Sequence, residues 1–190
     1  VHGCRPLRAI QYEPPGASAQ VKSAILLAGV WAEGPTTVIE PQPTRDHTER
    51  LLRRCGVRVR QEGPAVTVEP GPLRAPGTLV LPGDFSSAAF LLVAAACVPG
   101  SRVTLEDLGL NPSRIRLLEI LKRMGALVRW TAVETSWEPR GTVELEARPL
   151  RGLTLEAAEV PGLIDELPIL MVAAACAHGA REGTGHGGDV

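Results

Sequence analysis

Three apolar runs of similar length recur along the chain, at residues 18–34, 84–100 and 164–179. Each begins with residues of a polar capping type and ends at glycine, which is the pattern of a capped and terminated helix. Apolar side chains lie on nearly all sides of each run. Because a surface helix keeps one polar face, this distribution predicts three buried helices.

Each of the first two apolar runs is followed by the same order of shorter elements. After the first, the pattern predicts a strand at 36–39, a helix at 46–55 and strands at 57–59 and 66–68. After the second, it predicts a strand at 103–105, a helix at 113–124 and strands at 127–130 and 143–145. The strands show β-branched residues or alternate apolar and charged positions, and the helices have one apolar face. A further strand is expected before each apolar helix, around Tyr12 and at 79–81 and 153–155.

The chain is therefore predicted to be an α/β protein built from a repeated unit with the element order βαβαββ. One complete unit covers residues 7–70, a second covers 79–148, and a third begins at Leu153. A Pro- and Gly-rich stretch at 71–83 has the composition of a linker, so we expect one domain at 1–78 and another at 79–190. The alternative is an ordinary loop within a single domain.

Composition narrows the classes of function. The net charge is −1 and 44% of the 190 residues are hydrophobic, so a sizeable core is expected and a basic surface for nucleic acid is not. No apolar run is long enough to span a bilayer, which makes a cytoplasmic protein the default. The four cysteines form no C-x-x-C pair, so zinc and redox motifs have no support. Cys97 and Cys176 lie inside Ala-rich apolar runs and are therefore expected to be buried, reduced thiols. Motifs for nucleotide-binding loops and for serine hydrolases are absent from the sequence.

Candidate chemistry lies at helix starts, where unpaired N–H groups and the helix dipole favour anions. Ser18 and Gln20 at the first apolar helix suit a phosphate or a carboxylate, but by themselves they are better explained by a plain N-cap at Ser18. Arg45 and His47 lie at the start of the amphipathic helix of the first unit. There the alternative is that Thr44 caps the helix and Arg45 is solvated.

The third apolar helix begins with two adjacent acids, Asp165 and Glu166. We expect one of these carboxylates to be exposed and the other to point inward. A carboxylate at a partly desolvated helix start is suited to exchange a proton with a substrate. The alternative is again a capping Asp.

Four segments together resemble the 5-enolpyruvylshikimate-3-phosphate (EPSP) synthase family, in both order and spacing. They are SAQVKSAILLAG at 18–29, PTRDHTER at 43–50, PGDFSSAAF at 82–90 and IDELPIL at 164–170. The resemblance runs from about Leu7 to Gly179, whereas the tail after Gly179 does not resemble the family. It implies an inside-out α/β barrel fold of two domains, each with three βαβαββ units and with the active site in the cleft between the domains.

On this resemblance, the chain holds the last part of the first, shikimate-phosphate-binding domain and the first part of the second. The family transfers the enolpyruvyl group of phosphoenolpyruvate to the 5-hydroxyl of shikimate 3-phosphate and releases phosphate, with no metal or organic cofactor. The substrate contacts that it implies are Ser18, Ala19, Gln20, Thr44, Arg45 and Asp165. Asp165 is also the implied catalytic acid/base.

Several of the family's cationic motifs have no counterpart in this sequence. We therefore expect a fragment of a longer monomeric enzyme, inactive by itself, with no nucleic-acid or membrane partner. Two alternatives remain: the related transferase that acts on UDP-N-acetylglucosamine, and a truncated chain with no activity. The PTRDHTER and PGDFSSAAF segments argue against the former.

Overall fold

The computed structural model describes Gly3, residues 6–133 and residues 137–178. The described residues form two compact units. Unit 1 comprises those up to Val80 together with Trp137 and Glu138, and unit 2 comprises the remainder.

Unit 1 is a four-stranded sheet with two helices. Its elements are β1 (Gln11–Tyr12), α1 (Ala19–Gly29), β2 (Thr36–Ile39), α2 (His47–Arg54), β3 (Val59–Glu62) and β4 (Ala65–Val68). The strand order is β1-β2-β4-β3, with β1 and β2 parallel and the other pairs antiparallel. Leu26 of α1, Leu52 of α2 and alternate valines of the strands form the core.

Close contact between α1 and the sheet depends on the absence of a side chain at Gly29. A Cβ atom at this position would lie 2.7 Å from Cβ of Thr36 and 2.8 Å from Cγ1 of Val68. These distances are shorter than van der Waals contact, so the helix and sheet would have to separate to admit alanine.

Unit 2 is a three-stranded antiparallel sheet with three α-helices and a 3-10 helix. Its elements are α3 (Phe85–Cys97), β5 (Arg102–Gly109), α4 (Arg116–Arg123), β6 (Leu127–Val133), β7 (Arg140–Glu146), a 3-10 helix (Ala157–Leu163) and α5 (Leu167–Cys176). The strand order is β5-β7-β6. α3, α4 and α5 bury leucines and alanines in one core with the inward-facing residues of the sheet.

The predicted repeat is confirmed by the topology of the two sheets. The order β2-β4-β3 in unit 1 matches β5-β7-β6 in unit 2, and each first strand is joined to the next by one amphipathic helix. Both helices end before a glycine with positive φ, Gly56 at 81° and Gly125 at 111°. This left-handed conformation suits glycine and terminates each helix at the same place in the repeat.

Two of the predicted strands do not form. Residues 79–81 and 153–155 are not strands, and among the described residues the pairing near them is by isolated parallel bridges, Gly83 with Leu108 and Arg151 with His178. Pro82 removes a backbone donor beside the first bridge. In the second case the parallel partner would follow α5, and the described residues there end at His178.

The prediction of fully buried apolar helices is wrong. Each helix packs one face on its own unit and exposes the other, with Trp31 just after α1, Phe90 on α3 and Met171 on α5 all more than half exposed. Cys176 is likewise exposed, whereas Cys97 is partly buried. Burial raises the pKa of the Cys97 thiol to about 11, and the contact with Cys176 adds to the rise. No described helix combines the length and the hydropathy needed to cross a membrane.

Candidate functional site

The start of α1 is a capped helix end that reaches the surface. Ser18 is the N-cap, and its Oγ accepts a hydrogen bond from the Val21 backbone N–H at 3.3 Å. Ala19 is the first helical residue, and Gln20 is exposed beside it, with Oε1 accepting from the Ser18 hydroxyl at 3.5 Å. The cap predicted for Ser18 is therefore confirmed. Its 3.3 Å hydrogen bond is long, so the hydroxyl is held only weakly.

One turn further along α1 lies a buried cluster of charges that sequence reasoning missed. The Lys22 ammonium is only 1% exposed and lies 3.0 Å from Oε1 of Glu40 and 2.6 Å from Oε1 of Glu49. Thr44 donates its backbone N–H to Glu40 at 3.0 Å, and its hydroxyl donates to the same oxygen. We call Lys22, Glu40, Thr44 and Glu49 the Lys22 cluster. It joins α1, the segment after β2 and α2.

The Lys22 cluster brings two of the predicted substrate-contact segments together. Glu40 accepts from Lys22, which follows Ser18–Gln20 on α1, and from Thr44, which precedes Arg45. A second link between the helices is the 2.7 Å hydrogen bond between the hydroxyls of Ser23 and Thr48. The partly buried Arg45 is thus carried by a backbone segment that is tied to α1.

The alternative in which Thr44 caps α2 is wrong, because the Thr44 hydroxyl is engaged by Glu40. The N-cap is Asp46, whose side chain makes no capping hydrogen bond and instead accepts from Arg50 Nε at 2.8 Å. His47, the first residue of α2, lies with Nδ1 2.6 Å from Oε1 of Glu138.

In unit 2, Asp165 and Glu166 take the two different positions that were expected. The Asp165 side chain is 37% exposed and its Oδ2 accepts from Arg114 Nη1 at 2.8 Å. Glu166 is buried, and its Oε1 accepts from Ser86 Oγ at 2.7 Å and from Arg114 Nη2 at 3.1 Å. We call Ser86, Arg114, Asp165 and Glu166 the Arg114 cluster. Its one cation holds an exposed carboxylate and a buried one side by side.

The cap predicted at Asp84 is confirmed. Oδ2 of Asp84 accepts from the Ser87 backbone N–H at 2.8 Å and from the Ser87 hydroxyl at 2.7 Å. These hydrogen bonds, led by the one from the hydroxyl, lower the pKa of the Asp84 carboxyl from its ordinary value of 3.8. Ser87 therefore serves the helix end, whereas its neighbour Ser86 belongs to the Arg114 cluster.

A signal in the sequence could have identified Arg114. Pro43-Thr-Arg45 and Pro112-Ser-Arg114 occupy the same slot of the repeat, since each arginine lies two residues before the first residue of an amphipathic helix. Lys22, Glu40 and Glu49 gave no such signal. A buried lysine is rare, and its partners cannot be inferred before the helix packing is known.

Comparison with known proteins shows the family of the chain. The profile of the family described as EPSP synthase (3-phosphoshikimate 1-carboxyvinyltransferase) matches residues 1–186. The chain belongs to the EPSP synthase family. Because the match continues to residue 186, the expectation that the resemblance ends at Gly179 was wrong. The residues beyond His178 lie outside the described part of the chain.

Individual relatives agree with this assignment. The chain is 50% identical over 186 residues to a 3-phosphoshikimate 1-carboxyvinyltransferase of Alkalilimnicola ehrlichii, a match that covers 97% of the chain and 42% of the relative. A solved EPSP synthase from Acinetobacter baumannii is 47% identical with a TM-score of 0.82, covering 91% of the chain and 40% of that protein. The enolpyruvyl transferase NikO from Streptomyces tendae, at 21% identity and a TM-score of 0.66, shares the fold. The chain thus spans about two fifths of the length of the relatives it matches.

Proposed function

We propose that this chain supplies part of the substrate-binding and catalytic apparatus of an enzyme that transfers the enolpyruvyl group of phosphoenolpyruvate to the 5-hydroxyl of shikimate 3-phosphate. The family match and the name of the Alkalilimnicola relative support this reaction. The observation that carries the proposal is the Lys22–Glu40–Thr44 link, because it ties the helix start at Ser18 to the segment that carries Arg45.

In unit 1, we assign phosphate binding to the start of α1 and to Arg45. The Ser18 hydroxyl and the Ala19 backbone N–H would donate to the phosphate of shikimate 3-phosphate, with Gln20 reaching towards both substrates. Helix N-termini favour anions through their unpaired N–H groups, and a guanidinium adds a planar, charged donor. Thr44 is assigned to the rim of the site, since Glu40 fixes its position.

In unit 2, we assign the proton transfers to Asp165. In the addition step, the 5-hydroxyl oxygen of shikimate 3-phosphate forms a bond to C2 of phosphoenolpyruvate while the Asp165 carboxylate takes the hydroxyl proton, and the C2–C3 double bond opens as C3 takes a proton from solvent. In the elimination step, the bond from C2 to the phosphate oxygen breaks and the C2–C3 double bond re-forms as C3 returns a proton to solvent. The departing phosphate takes up the proton held by Asp165, which restores the carboxylate. The partial exposure of Asp165 gives a substrate hydroxyl access to its carboxylate.

The net charge of the chain is −1, so the chain as a whole does not attract anions. We infer that the complete enzyme is a cytoplasmic monomer without a nucleic-acid or membrane partner. The chain by itself is expected to bind the two anionic substrates poorly and to show no turnover. Phosphate release by the isolated chain that depends on both substrates would contradict this expectation.

The test is a segment exchange in the Alkalilimnicola relative, whose matched segment is replaced by residues 1–186 of this chain. The exchanged enzyme is expected to release phosphate only when both substrates are present. The unaltered relative and the same exchange with Asp165→Asn serve as controls. A folded exchanged enzyme without phosphate release would contradict the proposal. A second exchange, limited to residues 1–80, keeps the test of unit 1 independent of unit 2.

The same enzyme separates the alternative transferase from the proposed one. Shikimate 3-phosphate is expected to act as the acceptor, and UDP-N-acetylglucosamine is expected neither to replace it nor to compete with it. The UDP-sugar differs from shikimate 3-phosphate in its acceptor hydroxyl and in carrying a diphosphate. Enolpyruvyl transfer to it would therefore favour the alternative transferase.

A further inference from the structure

We propose that Arg114 is a positioning residue for Asp165: its guanidinium, anchored on the partly buried Ser86 and the buried Glu166, fixes the orientation of the exposed Asp165 carboxylate. The inference rests on the proposed function, because Asp165 is the acid/base residue of that reaction. It assigns to Arg114 a role in turnover that is exerted through Asp165 and not through direct contact with substrate.

The backbone at Arg114 is fixed by the turn before α4. Asn111 is buried, and its side-chain oxygen accepts from the Ser113 backbone N–H at 2.9 Å and from the Ser113 hydroxyl at 2.7 Å. The backbone N–H of Arg114 donates to the Asn111 carbonyl at 2.8 Å. Four successive residues are thus held by local hydrogen bonds, so the guanidinium starts from a defined point.

The far end of the Arg114 side chain is fixed as well. Nη2 donates to Ser86 Oγ and, at 3.1 Å, to Oε1 of the buried Glu166. Ser86 Oγ also donates to that Glu166 oxygen at 2.7 Å, which closes a three-membered network. A buried carboxylate strongly favours a nearby cation, so Glu166 anchors this edge of the guanidinium.

The second edge of the same planar group then determines where Asp165 lies. Nη1 donates to Asp165 Oδ2 at 2.8 Å, while the Arg114 side chain is only 12% exposed. Because the guanidinium is rigid and planar, fixing one nitrogen fixes the direction of the other. Asp165 is 37% exposed and lies next to the anchored Glu166, so the salt bridge with Arg114 restrains the orientation of an exposed carboxylate.

The slot that Arg114 occupies in the repeat supports a functional and not merely local role. Arg45 of unit 1, which is assigned to substrate phosphate, lies at the equivalent position before α2. In unit 2 the equivalent guanidinium is directed instead at two carboxylates. The two units therefore use one backbone position for two tasks, anion binding and carboxylate positioning.

The effect of losing Arg114 is expected mainly in turnover. A displacement of about 1 Å in a reacting group can lower the rate by about 100-fold. In the exchanged enzyme, Arg114→Gln is expected to lower kcat by at least about 10-fold while the KM for shikimate 3-phosphate changes by less than about threefold. Arg102→Gln, which removes a surface arginine paired with Glu146, is the matched control and is expected to leave both constants unchanged.

A double-mutant cycle tests whether Arg114 acts through Asp165. In an Asp165→Asn background, Arg114→Gln is expected to change the residual kcat by less than about twofold, because the carboxylate to be positioned is gone. An equal loss of kcat in both backgrounds would overturn the inference, and so would parent-like turnover in the Arg114→Gln single variant.

A compensating variant covers the case in which Arg114→Gln unfolds because Glu166 is left buried and unpaired. Arg114→Gln with Glu166→Gln removes the buried charge, and it is still expected to turn over slowly, since the guanidinium that orients Asp165 is gone. Recovery of parent kcat would overturn the inference. An unaltered exchanged enzyme without phosphate release contradicts the proposed function instead, so the two failures are distinguishable.

Discussion

The Lys22 cluster and the Arg114 cluster each place one cation between two carboxylates beside a helix start, yet they differ in exposure. Lys22 is 1% exposed, and both of its acidic partners are buried. Arg114 is 12% exposed and joins the buried Glu166 to the partly exposed Asp165. The first arrangement can only hold elements together, whereas the second leaves one carboxylate exposed. Burial thus separates a cluster suited only to a scaffold role from one that offers a carboxylate for the proposed chemistry.

The largest effect that would sharpen this comparison is expected at the exposed carboxylate. Asp165→Asn in the exchanged enzyme should lower kcat by about 10²- to 10⁴-fold, which is the usual contribution of general acid–base catalysis. Steady-state phosphate release measures the change. The control is Glu159→Gln, which alters an acid on the 3-10 helix that is paired with Arg123 of α4. A kcat for Asp165→Asn equal to that of the control would remove the acid/base assignment.

The next effect is expected in the Lys22 cluster and concerns stability. Lys22→Met should lower the free energy of unfolding by about 3–5 kcal/mol, because it leaves two buried carboxylates without their cation. Urea unfolding of the chain measures the loss. Lys122→Met, at an exposed lysine on α4, is the matched control and should change stability by no more than about 0.5 kcal/mol.

Glu49 sharpens the same prediction, since its Oε2 is buried without a hydrogen-bond partner among the described residues. Adding Glu49→Gln to Lys22→Met removes one of the two uncompensated charges. Part of the lost stability should therefore return. A double variant less stable than Lys22→Met would contradict the view that unpaired charge causes the loss.

A smaller effect is expected at the cap of α3. Asp84→Ala should cost about 1 kcal/mol near neutral pH, the usual value of an N-cap, whereas Asp84→Asn should cost little. The folded-state pKa of Asp84 is lowered below 3.8, so its ionised form stabilises the fold above that pH. As pH falls from 3.8 through the folded-state value, this contribution is lost. The stability difference between parent and Asp84→Ala should narrow in that acidic window, and a constant difference would contradict the prediction.

The smallest effect on stability is expected at Ser18. Ser18→Ala should cost only about 0.5 kcal/mol, because the capping hydrogen bond to Val21 is long. Thermal or urea unfolding of the chain measures it. A loss above about 2 kcal/mol would show that Ser18 has a structural task and would weaken its assignment to phosphate binding.

The sequence predicted those parts of the fold that depend on local pattern. The strand at 36–39, both amphipathic helices and the caps at Ser18 and Asp84 follow from periodicity and short-range hydrogen bonding. The strands expected at 79–81 and 153–155 failed because parallel pairing depends on a distant partner. The prediction that the apolar helices are buried was wrong for a related reason, since composition does not show how much of a helix surface a neighbour covers.

The candidate site, like the fold, was predicted from the sequence only in part. Asp165 and Glu166 were recognised as a pair with different environments because an apolar run follows two adjacent acids. Arg114, which pairs with these two acids, was missed, and so was Lys22, which pairs with Glu40 and Glu49. Their partners are far away in sequence, and only the packing of α1 on α2 and of α3 near α5 brings them together. For Arg114 alone, the shared Pro-Thr/Ser-Arg slot of the repeat gave a usable signal.

The most direct test of the central claim compares binding with turnover at one residue of each unit. The dissociation constant of shikimate 3-phosphate is measured by isothermal titration for Arg45→Gln and Asp165→Asn in the exchanged enzyme. Arg45→Gln is predicted to weaken binding by at least about 10-fold, since a charge-assisted contact to phosphate is lost. Asp165→Asn is predicted to change it by less than about threefold despite its large loss of kcat. Unchanged binding in Arg45→Gln, or a loss of affinity in Asp165→Asn as large as its loss of kcat, would contradict the account.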